Sequence, residues 1–134
     1  MLQNRKVYKE VIFLISMKNK EGKSIFLQVV GDTPKLRILD FLLTFQKFDY
    51  SLTEIARNAR VSYSNLMLFW PEFVKTGIVE QTRVVGKAKM FKLNEKNPIS
   101  QELSRLQWFI AKYIVHKKFG LEQEQKIKQI KIPA

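Results

Sequence analysis

Between Ser51 and Leu93 the hydrophobic pattern changes period from 3.6 residues to 2, and few folds accommodate that switch in that order. Ser51 and Glu54 form an S-x-x-E pair, the signature of a capping box at a helix start. Leu52, Ile55, Ala56 and Ala59 then give a short helix one apolar face. A turn is expected around residues 58–61, and Ser62 caps a second helix. On that helix Leu66, Phe69, Trp70, Phe73 and Val74 recur at helical spacing, and Gly77 stands where a left-handed residue ends a helix. From Ile78 to Val84 the residues alternate, Gly86 marks a turn, and residues 88–93 return as a second strand. Trp70-Pro71 puts a proline inside the second helix, where it removes one hydrogen bond and predicts a kink near Phe69.

Four segments carry a resemblance: GDTPKLRILDFLL (31–43), FDYSLTEIARNARVS (48–62), WPEFVKTGIVEQTR (70–83) and VGKAKMFKLNEKNP (85–98). In this order and spacing the chain resembles the archaeal winged helix-turn-helix transcriptional regulators and, more loosely, the MarR and ArsR-like repressors. The resemblance implies a mostly α fold with a β wing (α+β). It also implies a recognition helix starting at Ser62 and binding to double-stranded DNA, while the absence of cysteine fits a reducing cytoplasm. Relatives carry Arg or Lys at the positions of Met67 and Leu68. This chain has neither from Ser62 to Val74.

The rest of the chain divides around that core. Asp32 or Thr33, followed by Pro34, starts a bracing helix with Leu36, Leu39, Leu42, Leu43 and Phe45 as its stripe. Residues 1–30 hold two apolar runs, VIFLIS and IFLQVV, around a charged stretch with a glycine. They are read as a β-hairpin, with a short helix over residues 5–17 as the competitor. The winged domain is expected over residues 31–96. Asn97-Pro98 opens a helix expected to stop at Phe119-Gly120. Leu103, Leu106, Ile110 and Tyr113 lie on a heptad seam of that helix, and its apolar residues wrap beyond one face, which predicts dimerisation through it. Residues 121–134 read as a basic tail.

Charge decides among partners. The chain carries a net charge of +12 and a pI near 10.0, so a polyanion is implied, with nucleic acid first and an anionic membrane surface second. The cations concentrate in residues 1–24, 83–96 and 105–134. VIFLIS is too short for a membrane span, which needs about 20 apolar residues. With no cysteine and one histidine, His116, the chain offers no thiolate site, no metal cluster and no cysteine nucleophile. No glycine-rich phosphate loop and no nucleophile–base pair suggests an enzyme, and no cofactor or small-molecule effector is evident.

The candidate DNA contacts are therefore Ser62, Tyr63, Ser64, Asn65, Met67 and Leu68 on the recognition helix, Arg57 and Arg60 at the turn, and Arg83, Lys87 and Lys89 on the wing. Asn65 has the paired donor and acceptor that adenine requires, hydroxyls suit phosphates, and Met67 and Leu68 suit thymine methyls. Two other readings remain open on the residues alone. One is a protein-binding module using Tyr63, Met67 and Leu68; the other is a nonspecific architectural DNA binder.

Overall fold

The computed structural model describes residue 15 and residues 17–128 of the chain. It divides into two compact units, residues 32–102 and residues 1–31 with 103–134. In the first lie α2 (Pro34–Thr44), β1 (Tyr50–Ser51), α3 (Leu52–Ala59), α4 (Tyr63–Thr76), β2 (Val79–Val85) and β3 (Ala88–Leu93). The second contains α1 (Ile25–Val30) and most of α5 (Pro98–Lys128), whose first turn belongs to the other unit.

Residues 32–102 form a winged helix-turn-helix. Thr33 caps α2 by accepting from the Leu36 N–H, and Pro34 occupies the first helical position, where its missing donor costs nothing. Ser51 and Glu54 close the expected capping box on α3. Ser62 accepts from the Asn65 N–H to start α4. Ile38, Leu42, Leu43, Ile55, Leu66 and Leu93, all under 2% exposed, form the centre of the core. Trp70 is buried with them and meets Phe91 and Phe73 edge-on, at 5.2 and 6.0 Å between ring centroids. It is a core anchor, as its spacing implies, and α4 runs unbroken through Pro71. Val74 departs from the expected stripe and is half exposed, and so does Phe45, which lies just past the end of α2.

The sheet has three antiparallel strands in the order β1-β3-β2. The two-residue β1 falls in a stretch too short for any period to reveal. The β2–β3 hairpin turns at Gly86, whose φ is 62°, and its register shifts between Gln81 and Arg83. Beyond Val79 every residue of β2 is exposed, so the wing projects from the core. Gly77 ends α4 at φ 79°, and a Cβ there would stand 2.9 Å from Asn97 Nδ2. Asn94 and Asn97 donate to the carbonyls of Gly77 and Thr76, and Ser100 donates to that of Ile78. These bonds fasten the start of α5 to the end of α4. Asn97 also caps α5, as expected, by accepting from the N–H groups of Ile99 and Ser100.

In the second unit the expected hairpin is replaced. IFLQVV, read as a strand, is helix α1, capped by the buried Ser24 and ended by Gly31 at φ 112°. Ile25, Phe26 and Leu27 are buried consecutively, a pattern that a buried helix and a buried strand share. A bridge between Lys18 and Ser24 closes a turn organised by Asn19, whose Oδ1 accepts from the N–H groups of Glu21 and Lys23. Most of VIFLIS lies outside the described residues; Ile15 is helical and buried. The last helix does not stop at Phe119-Gly120 but continues to Lys128, since a lone glycine costs only about 1 kcal/mol in a helix interior. Of the tail, residues 121–128 are thus helical, and 129–134 lie outside the described residues.

Candidate nucleic-acid interface

Helix α4 has two faces. Leu66, Trp70 and Phe73 point into the core, and Tyr63, Ser64, Asn65, Met67 and Leu68 are exposed on the other side. Leu68 is 73% exposed and Tyr63 51%. Ser62 is partly committed: its Oγ accepts the Asn65 N–H at 3.1 Å and lies 3.4 Å from Ser64 Oγ. The whole outward face from Ser62 to Pro71 carries no charge, and Glu72 is the first ionised residue, paired with Lys35 of α2 at 3.5 Å.

The turn before this helix is held from α2. Arg37 grips Asp32 through Nε and Nη2 and donates Nη1 to the carbonyl of Arg60 at 3.1 Å. That carboxylate raises the Arg37 pKa above its ordinary value. Arg60 itself occupies the left-handed region at φ 58°, its N–H bonded to the carbonyls of Ala56 and Arg57. An L-residue there costs roughly 1–2 kcal/mol, so the turn places Arg60 at some conformational expense. Arg57 and Arg60 are both exposed.

The wing separates the three cations grouped there by sequence. Lys87 and Lys89 are exposed, and among the described residues no ion pair involves either. Arg83 is different. Its Nε and Nη2 donate to the Asp49 carboxylate at 2.8 and 3.1 Å, a forked pair. Thr82 Oγ1 donates to the same carboxylate at 2.6 Å. Hydrogen bonds from Arg83 and Thr82 hold the Asp49 pKa at about 2, from an ordinary 3.8. Arg83 is therefore a brace between the wing and the segment preceding β1. The register shift between Gln81 and Arg83 brings Thr82 and Arg83 to one acid. Asp49 and Arg37 are the participants that sequence reading missed. Each depends on a contact between residues far apart or on different elements, which no local pattern encodes.

Of the four α5 residues expected at a dimer seam, Leu106 and Tyr113 are exposed and Leu103 is half-buried, but Ile110 is buried, at 7%. Phe109 is 55% exposed, and its ring stacks on Tyr113 at 6.2 Å. Trp108 is buried.

Among the described residues no three His, Asp or Glu side chains gather as a metal site, and no helix is long and apolar enough to cross a membrane. No protein-family model matches the chain, and no curated protein matches it. A solved structure of a Lactococcus lactis ZitR mutant is similar over 93% of this chain and 85% of that one, with 12% sequence identity and a TM-score of 0.47. A likeness of that size assigns no role to any residue here.

Proposed function

We propose that this protein is a sequence-specific DNA-binding transcriptional regulator that acts as a cytoplasmic homodimer. Helix α4 enters the major groove, and the wing lies on the backbone or in the adjacent minor groove. The observation that carries the reading is the pairing of an exposed, hydrogen-bonding face on α4 with a projecting wing that bears Lys87 and Lys89. Asn65 is exposed and able to pair with adenine, and Tyr63 and Ser64 reach phosphate. Arg57 and Arg60 flank the turn and supply positive charge beside the groove. The net charge of +12 favours a polyanion in any pose. Two protomers meet through Leu106, Phe109 and Tyr113 of α5, with Leu103 at the margin.

Asn65→Ala tests the base-reading role. It should weaken binding to a selected duplex far more than binding to a scrambled one of the same length. Equal loss on both would remove Asn65 from base readout. A second reading has its own support: Tyr63, Met67 and Leu68 make the exposed face of α4 apolar enough for a protein partner. Met67→Asp that abolishes partner capture without altering DNA affinity would favour that reading.

A further inference from the structure

In the sequence the exposed face of α4 lies between the cations of the preceding turn and those of the wing, and from Ser62 to Pro71 it carries no charge of its own. Arg57 and Arg60 precede it, and Lys87 and Lys89 follow on the wing. Between them stand Tyr63, Ser64, Asn65, Met67 and Leu68, with Met67 38% and Leu68 73% exposed. Leu68 and its sequence neighbour Met67 are exposed together with Tyr63, and an exposed group of apolar side chains, unlike a single exposed leucine, marks a candidate contact surface. The flanking cations identify its partner as part of a polyanion.

The floor of the major groove presents one apolar group, the C5 methyl of thymine. It also presents the N7 and O6 acceptors of guanine and the N4 amine of cytosine, which need a strong donor or an acceptor opposite them. This helix has no Arg or Lys before Lys75 in its last turn to meet guanine and no carboxylate before Glu72 to meet cytosine. A G·C pair pressed against Met67 and Leu68 would lose its water without recovering the hydrogen bonds. Asn65, by contrast, matches adenine N6 and N7. From this, and resting on the DNA-binding reading above, we infer that the duplex taken by this site is A·T-rich. Met67 and Leu68 determine its specificity by packing on thymine methyl groups. The phosphates are neutralised by the turn and the wing, so affinity and base choice reside in different residues.

Removing the methyl alone separates this from every other source of A·T preference. Full-length protein is titrated by fluorescence anisotropy against alternating adenine–thymine duplex, and against the same duplex with uracil in place of thymine. Burial of one methyl corresponds to about fourfold in affinity, so two contacts predict roughly fifteenfold tighter binding to the thymine duplex. Alternating G·C duplex should bind more weakly than either, and 5-methylation of its cytosines should recover affinity. Met67→Ala combined with Leu68→Ala should make the thymine and uracil duplexes equal. Both side chains are exposed, and an unchanged thermal melt establishes that the variant is folded. Tight binding with equal affinity for thymine and uracil duplexes in the unaltered protein would overturn the methyl contact and leave the DNA-binding reading intact. No binding to any duplex at low salt would overturn both.

Discussion

Replacing Asp49 with Asn tests whether Arg83 is held by the wing brace or is available to DNA. In the free protein the Arg83 guanidinium spends two donors on the Asp49 carboxylate, at 2.8 and 3.1 Å. From a phosphate the pair looks nearly neutral, because the opposite charges lie closer together than the roughly 10 Å over which salt screens them. The unaltered wing thus offers Lys87 and Lys89 as its cations. Asp49→Asn keeps an acceptor for Thr82, removes the negative charge and moves the net charge from +12 to +13. One more phosphate neutralised steepens the slope of log affinity against log salt by about 0.9. Between about 50 and 200 mM salt that is an extra loss of roughly 3.5-fold, starting from a higher affinity at the low end. The assay is anisotropy on a short random duplex across that range. In the unaltered protein, Arg83→Ala should leave the slope unchanged, whereas Lys87→Ala and Lys89→Ala should each flatten it by about 0.9. If Arg83→Ala flattens it as the lysine variants do, Arg83 leaves Asp49 on binding and the brace is not a brace in the complex. If Asp49→Asn weakens binding at all salts, the brace sets the wing geometry rather than masking a charge.

The same carboxylate makes stability depend on acid. With Asp49 depressed from 3.8 to about 2, its contribution is complete above the ordinary carboxylate range and fades as pH falls toward 2. Thermal melts of Asp49→Asn should lack that part of the acid loss, and identical profiles would refute it. Leu66, fully buried beneath the exposed face of α4, should cost about 3 kcal/mol when changed to Ala; a urea midpoint placing the loss below about 1 kcal/mol would mean the core collapses around the gap. Gly77→Ala strains a residue at φ 79° and drives its Cβ to within 2.9 Å of Asn97 Nδ2. It should destabilise by more than the roughly 1 kcal/mol of the backbone conformation alone, and a neutral result in denaturation would show that Asn97 moves freely. Phe109→Glu should give a monomer by sedimentation, and an unchanged mass would remove the outer face of α5 from the dimer interface.

Local signals carried most of the fold. Caps at Thr33, Ser51, Ser62 and Asn97 and the stop at Gly77 were legible because each is decided by residues within one turn of chain. The change of period located the wing. What was not legible depends on contacts between distant elements. IFLQVV forms a helix although its apolar run fits a strand: three consecutive buried residues, Ile25, Phe26 and Leu27, in so short a run leave no periodicity to separate the two. Gly120 does not end α5, although glycine is a frequent stop. At the candidate interface, the exposure of Tyr63, Asn65, Met67 and Leu68 followed from the stripe formed by Leu66, Trp70 and Phe73. The engagement of Arg83 with Asp49 did not, since 34 residues separate the partners. That Ile110 is buried and Phe109 exposed was not legible for a similar reason: adjacent apolar residues leave the choice of buried side to the packing around them.

Selection of bound duplexes from a random-sequence pool tests whether α4 reads bases while the wing supplies charge. If it does, one A·T-rich, two-fold symmetric motif should be enriched, with half-sites one helical turn apart. Recovery of no motif, with affinity that falls steeply in salt, would contradict it by showing a binder of backbone alone.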